Sequence, residues 1–180
     1  MAPFKVKTAS AYALFDTAFG MCGVAWSSSG IVRLVLPEAT PEDTETRLRR
    51  QAMVDARVKP PAWVAAVILA VQQYFDGEDV DLSDVPLDLS AEPEFERRVY
   101  DALRRVGRGT TTTYGGLAER AGSPGAARAV GRAMARNPVP VIVPCHRVLA
   151  AGGAVGGFSA HGGVATKQRM LALERVTLAL

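Results

Sequence analysis

Cysteine and histidine are scarce in this chain, two of each among 180 residues. A structural zinc takes about four ligands, usually in close pairs, and Cys22, Cys145, His146 and His161 do not supply them. No metal and no cofactor is therefore expected. So few cysteines also argue against a disulfide-stapled secreted scaffold. Long hydrophobic runs are missing as well: the longest, Ala62 to Val71, has ten residues, too short to span a bilayer, and nothing near Met1 reads as a signal-peptide core. The expectation is a soluble protein of a reducing compartment, cytoplasmic or nucleoid-associated (nuclear in a eukaryote), with no membrane partner. A phosphate-cradling glycine loop is lacking, because Gly152-Gly153 and Gly156-Gly157 follow turns rather than a strand-to-helix step. There is no internal repeat, and no lysine between residues 97 and 147.

That last absence matters because the same region is strongly basic. Residues 38–96 carry 14 acidic and 5 basic side chains, a net −9, whereas residues 97–147 carry 10 basic and 2 acidic, a net +8. All ten cations are arginines, at 97, 98, 104, 105, 108, 120, 128, 132, 136 and 147. A guanidinium is a planar fork that matches phosphate and stacks on bases, so this half is expected to meet a polyanion. The competing reading is a solvated helical surface.

Periodicity and turn signals predict an α/β protein. Residues near 5 to 15, 21 to 27 and 31 to 36 read as strands, the last two joined by a hairpin turn at Ser27-Ser28-Ser29-Gly30, so a small antiparallel sheet opens the fold. Pro41-Glu42-Asp43 starts one helix with acids in its first turn, and Pro60-Pro61 starts another that runs to about Phe75. The acidic stretch Asp76 to Asp88 reads as an exposed linker, which divides the chain into an N-terminal α/β domain (1–90) and a C-terminal helical domain (91–180). In the latter, Phe95, Val99, Leu103 and Val106 share a face. Two short helices follow, from about Tyr114 to Ala121 and from Ser123, read as N-cap, with Pro124 as first helical residue. This is a helix-turn-helix, winged-helix-like unit. In its second helix Arg128, Arg132 and Arg136 recur every four residues and form one stripe, while alanines and Gly131 keep the remaining surface small.

Pro144-Cys145-His146-Arg147-Val148 follows the apolar run Val141-Ile142-Val143. Pro138, Pro140 and Pro144 bias their preceding residues toward extended geometry, and the β-branched residues between them suit a strand buried on both faces. A stiff strand ending at Cys145 is predicted. Successive strand side chains leave on opposite faces, so Cys145 and His146 can share a proton only through a bend or a bridging water. From these two residues alone, Cys145 is either a nucleophile or a buried small hydrophobe.

Residues 110–174 carry more. Tyr114-Gly115-Gly116-Leu117-Ala118, Ala126-Ala127-Arg128-Ala129-Val130-Gly131, Asn137-Pro138-Val139-Pro140, the Cys145 motif, and Gly153-Ala154-Val155-Gly156 ahead of Phe158-Ser159 stand in the order and approximate spacing of the O6-alkylguanine-DNA alkyltransferases. This part of the chain resembles the catalytic domain of that methylated-DNA–protein-cysteine methyltransferase family, and residues 1 to about 90 resemble its variable N-terminal domain only loosely.

The resemblance implies DNA repair by direct, irreversible, single-turnover transfer of an alkyl group from O6-alkylguanine, and from O4-alkylthymine, in double-stranded DNA to Cys145. It implies a monomer that flips the damaged nucleotide out of the helix. Cys145 matches the acceptor, His146 the residue acting on it through a water, and Glu174 the carboxylate that orients His146. Asn137 matches a hinge and Tyr114 the hydroxyl that contacts the flipped base. Arg128 matches the arginine that fills the vacated stack, with Arg132, Arg136, Ser123, Ala126 and Ala127 also toward DNA and the second helix in the minor groove. Met134, Pro140, Val148, Val155, Phe158 and Ser159 match the pocket, with backbone carbonyls near Cys145 and Val148 facing the base amine. Plain alternatives stand beside these roles: helix-entry packing for Tyr114, a surface position for Glu174, a helix terminator for Asn137.

The chain departs from the family pattern in three places. Ser159-Ala160-His161-Gly162-Gly163 is about two residues longer than the usual link, Gly107-Arg108-Gly109 replaces an Ile-Pro-containing approach, and Glu96 stands where Gln is common. The first bears on the shape of the pocket's rim; neither of the other two is expected to touch the chemistry, although Arg108 adds a phosphate contact. Two rival readings remain, a non-catalytic damage-recognition protein, whose kind replaces the nucleophile, and a cysteine hydrolase, for which no oxyanion site is evident.

Overall fold

The computed structural model describes residues 9–177. Three strands, β1 (Ala11–Thr17), β2 (Gly20–Ser27) and β3 (Gly30–Val35), form an antiparallel sheet in sequence order. The expected turn at 27–30 joins β2 to β3 through the Ser27–Gly30 pair. Among the described residues the first strand begins at Ala11, with residues 9 and 10 outside it; the expected positions 5 to 8 lie outside the described residues. Helix α1 (Pro41–Ala52) starts on an N-cap from Thr40, whose hydroxyl accepts the Asp43 N–H at 3.1 Å, with Glu42 and Asp43 at the positive end of the dipole. It covers one face of the sheet, closing a small cluster of Leu48 and Ala52 on Tyr12, Ala25 and Val35.

Helix α2 (Ala62–Phe75) covers the other face. Its Val64, Val67, Val71, Tyr74 and Phe75 are buried in the main apolar cluster. That cluster also takes in Trp26 and Leu34 from the sheet, Val99, Tyr100 and Leu103 from helix α3 (Glu94–Arg104), and Val139 and Val143 from the chain ahead of Cys145. Strand alternation and helical spacing thus point their apolar sides into one shared interior.

The acidic stretch 76–88 is not a free linker. Leu82 is buried, Ile31 and Leu87 bridge, and the Ile31 N–H donates to the Pro86 carbonyl at 2.8 Å. A Cβ on Gly30 would lie 2.6 Å from the same carbonyl, so only glycine lets the segment lie this close. Buried Asp88 accepts from the Ser27 hydroxyl at 2.6 Å. Charge composition pointed to solvent, but the apolar residues between the acids anchor the segment to the sheet edge.

Beyond α3, β4 (Thr112–Thr113) pairs in parallel with β5 (Val148–Leu149). Helices α4 (Tyr114–Arg120) and α5 (Ala127–Ala135) make the expected helix-turn-helix. Helix α5 begins later than its sequence suggested. Ser123 and Pro124 sit in the turn, because Gly125 takes φ +83° and the Ala126 N–H closes onto the Ser123 carbonyl at 3.1 Å; the N-cap is Ala126, without a side-chain bond. Helix α6 (Gly163–Leu173) ends the described fold. Among the described residues no helix is long and apolar enough to cross a membrane. The architecture is the mixed α/β class expected.

Candidate active site

Asn137, just past the C-cap of α5, organises the approach to Cys145. Its amide donates to the Val143 carbonyl at 2.7 Å and its carbonyl accepts the Val139 N–H at 3.0 Å, while the Val143 N–H reaches the Val139 carbonyl at 2.8 Å. The segment 141–143 is therefore a tight loop, not the buried strand that its β-branched residues implied. Val139, Val141, Ile142 and Val143 are all buried, which explains their composition. Val141 is held at φ +75°, a conformation costly for a β-branched residue, on the order of 1–3 kcal/mol. Pro144 (φ −80°, ψ 66°) makes an inverse γ-turn closed by the Cys145 N–H on the Val143 carbonyl at 2.8 Å. Cys145–Arg147 then forms one 3₁₀ turn, which sends Cys145 and His146 to different surroundings.

Cys145 is 7 % exposed and lies on a cleft of about 260 Å³ with Tyr114, Gly131, Met134, Phe158 and Ser159. Burial pushes its thiol up, opposed by the Asn137 side chain, the charge of Lys167 and nearby backbone N–H groups, so the resting group is the thiol. Lys167 is fully buried on α6, donating to the Val148 carbonyl at 2.6 Å and the Gly157 carbonyl at 3.4 Å. Tyr114 is pushed up by burial and by Cys145 and stays a protonated hydroxyl. The other cysteine, Cys22, is inert: burial in β2 takes it up to about 12.

His146 turns inward. Its Nε2 lies 2.7 Å from Glu174 Oε1 and 3.1 Å from the Tyr74 hydroxyl. Glu174, at the C-cap of α6, collects five donors: the Tyr74 hydroxyl at 3.0 Å, His146 Nε2, Arg147 Nε at 2.9 Å and Nη2 at 3.0 Å, and the Gly109 N–H at 3.3 Å. An anion at a helix C-terminus is disfavoured by the dipole, and these donors explain its presence there. Burial acts to raise Glu174, yet the bonds and charges of His146 and Arg147 hold it far below the usual carboxylate range. Burial lowers His146, against Glu174. The state is a carboxylate and a neutral imidazole. With Nε2–H directed at the carboxylate, Nδ1 is the bare nitrogen; it is buried and without a partner among the described residues.

Arg128 and Arg132 are exposed on α5 and Arg136 is exposed at its C-cap. Ala126 and Ala127 are half-buried, and Ser123 accepts from Arg98 at 3.4 Å. Pro140 borders an adjoining cleft that also reaches Cys145 and runs to Arg33 and Leu34 of β3. Val148 and Val155 border neither cleft; the Val148 carbonyl already holds Lys167.

Besides Arg98, three of the ten arginines are engaged internally. Arg104 donates to the Val85 carbonyl at 2.7 Å and to Ser83, and Arg147 holds Glu174. Arg108 caps the Gly77 and Leu173 carbonyls at 3.0 and 2.8 Å and stacks over Tyr74 at 5.5 Å. Arg108 is therefore not a phosphate contact, and the 107–109 departure does touch the site, through the Gly109 N–H. Tyr74, Lys167 and the buried role of Arg147 were not found from sequence. Nothing local in α2 marks Tyr74, and a lone lysine in α6 carries no signal.

The family model for the DNA binding domain of 6-O-methylguanine DNA methyltransferase matches residues 94–176. The chain is 37 % identical over 164 residues to the methylated-DNA–protein-cysteine methyltransferase of Mycolicibacterium paratuberculosis, covering 91 % of this chain and 92 % of that protein. Its fold is similar to Mycobacterium tuberculosis OGT in complex with DNA (TM-score 0.74, 36 % identity, 92 % of each chain). It is also similar to the O6-methylguanine-DNA methyltransferase of the archaeon Pyrococcus kodakaraensis (TM-score 0.70, 25 % identity, 92 % of this chain and 99 % of that one).

Proposed function

The chain belongs to the methylated-DNA–protein-cysteine methyltransferase family, and from that membership we infer that it repairs DNA by taking an alkyl group from O6-alkylguanine, and from O4-alkylthymine, onto Cys145. The observation that carries the assignment to this residue is its position: a thiol on the cleft beside Tyr114, Phe158 and Ser159, one residue ahead of a neutral histidine backed by a carboxylate. In the proposed reaction Cys145 gives its proton through a bridging water to His146 Nδ1, and the imidazolium is stabilised by Glu174. The sulfur attacks the alkyl carbon, the S–C bond forms and the C–O6 bond breaks. Its electron pair goes to the base, which takes the Tyr114 hydroxyl proton and leaves neutral; the proton held by His146 passes to solvent water and Tyr114 regains one from it, so one proton in all moves from the thiol to the base. A thioether is not turned over by water, so each molecule acts once.

Reaching the base requires extrusion at a cost of a few kcal/mol in stacking and pairing. Arg128, exposed on the small-residue helix α5, fills the vacated space in this reading. Arg132 and Arg136 meet phosphates, α5 lies in the minor groove, and Ser123, Ala126 and Ala127 flank the backbone. Residues 91–180 form the DNA-binding and acceptor domain and residues 1–90 the N-terminal domain, in a monomer of the cytoplasm or nucleoid. A non-catalytic recognition protein is not favoured, since Cys145 is present and its surroundings include a base. The test is mass spectrometry after incubation with methylated duplex: one methyl group per chain, on the Cys145 peptide. Sustained turnover, or a methyl group on Cys22, overturns the reading.

A further inference from the structure

The proton relay is not confined to the DNA-binding half. Tyr74 lies near the end of α2, 72 positions before His146 and 100 before Glu174, yet its hydroxyl touches both. It is 1 % exposed, its ring stands 6.1 Å from the imidazole, and the Arg108 guanidinium lies over the ring at 5.5 Å while capping the carbonyl of Leu173, next to Glu174. We propose that Tyr74 is a positioning residue of the relay: its hydroxyl shares Glu174 Oε1 with His146, and so fixes which imidazole nitrogen is bare and how readily that nitrogen takes the Cys145 proton. This deepens the alkyl-transfer reading and rests on it in taking His146 as the base.

The geometry leaves one consistent arrangement of protons. Glu174, an acceptor only, draws the Tyr74 O–H to Oε1 at 3.0 Å and the His146 Nε2–H to the same atom at 2.7 Å. The tyrosine oxygen then turns its lone pairs to Nε2 at 3.1 Å, which reinforces the Nε2–H tautomer. The phenol does not ionise, because burial and Glu174 both push it far above its ordinary range; it acts as a fixed dipole. The other charged or titratable groups about His146 are Arg147 on its own turn, Lys167 on α6 and the neighbouring Cys145.

Each donor on Glu174 disperses its charge and weakens its pull on a proton at His146. Removing the hydroxyl while keeping the ring concentrates that charge and favours the imidazolium, so His146 stays protonated to higher pH. The base must be neutral to act, so the acid limb of the rate profile moves up.

The experiment measures single-turnover methyl transfer to Cys145 against pH for the wild type, Tyr74→Phe and His146→Gln, with 15N shifts of His146 in the wild type. The expected results are an acid limb in the wild type, the same limb raised by roughly one unit in Tyr74→Phe, and in His146→Gln no acid limb, only the rise at high pH as the thiol ionises directly. A limb that survives in His146→Gln sinks the relay reading itself. Loss of the limb in His146→Gln with no shift in Tyr74→Phe leaves the relay standing and overturns the proposal, making Tyr74 a packing residue. The 15N shifts need no variant and so decide even if Tyr74→Phe fails to fold: a bare Nδ1 supports the proposal, and an Nδ1–H tautomer overturns it.

Discussion

At the scale of single residues the chemistry rests on a thiol and the side chains that manage its proton. Cys145→Ser should abolish transfer and leave DNA affinity unchanged, because a neutral hydroxyl is a far weaker nucleophile and the arginines of α5 are untouched; parallel transfer and binding assays check it. Glu174→Gln tests the carboxylate. It removes the counter-charge of a future imidazolium, so transfer should slow near neutral pH and recover only as rising pH ionises the thiol directly. It also leaves the Arg147 guanidinium, 11 % exposed, without its anion, at a cost of roughly 3–5 kcal/mol. The sign of the pH dependence follows from the depressed carboxyl: its stabilisation is present above the ordinary carboxylate value and falls away as pH drops toward the folded value. The gap between wild type and variant in urea denaturation should therefore narrow by roughly 2 kcal/mol between pH 7 and pH 3. A constant gap would mean that Glu174 is not ionised in the fold. Cys145, His146 and Glu174 were legible in sequence through motif order. Tyr74 was not, because nothing local in α2 signals a hydroxyl whose partners lie 72 and 100 positions away.

At the scale of elements, sequence patterns succeeded where the cause of structure is local. Pro41-Glu42-Asp43 starts α1, Pro61 precedes α2, and the serines between β2 and β3 turn the chain. They failed where a side chain from elsewhere dictates the backbone. The loop 139–143 has the composition of a strand, and Asn137 folds it into a turn by bonding Val143 and Val139. Helix α5 started late because Gly125 adopts a positive φ that propensity alone does not reveal. The stripe on α5 supports a division of labour. If Arg128 fills the space of a flipped base, Arg128→Ala should slow repair of duplex DNA far more than reaction with the free alkylated base, which has no stack to leave. Arg132→Ala and Arg136→Ala should instead weaken binding to any sequence and lower the salt slope by about one contact each. Both substrates across a salt series decide it: equal losses for Arg128→Ala would assign it to the pocket rather than to extrusion.

At the scale of the whole molecule, the charge map and the core divide the chain differently. The acidic stretch 76–88, read as a linker, put a boundary near residue 90, close to where the charge changes sign, whereas the main apolar cluster runs from Ala11 to Met170 without respecting it. Polar ties cross the same line: the Leu34 N–H to the Pro138 carbonyl at 2.9 Å, Tyr74 to Glu174 at 3.0 Å, and Arg104 to Val85 at 2.7 Å. A fragment of either half would expose apolar surface worth about 25 cal/mol per Å² and strand half of each bond. We therefore expect the two proposed domains to unfold as one unit. The two free buried cysteines report on opposite halves, Cys22 in β2 and Cys145 beyond α5. A short alkylating pulse at increasing urea, read peptide by peptide, should give one shared midpoint that coincides with the fluorescence transition of Trp26, which is buried in the same cluster. If Cys22 becomes reactive at lower urea than Cys145, the N-terminal half opens by itself. The Tyr74 hydroxyl would then leave His146 and Glu174 before the DNA-binding half had lost its fold.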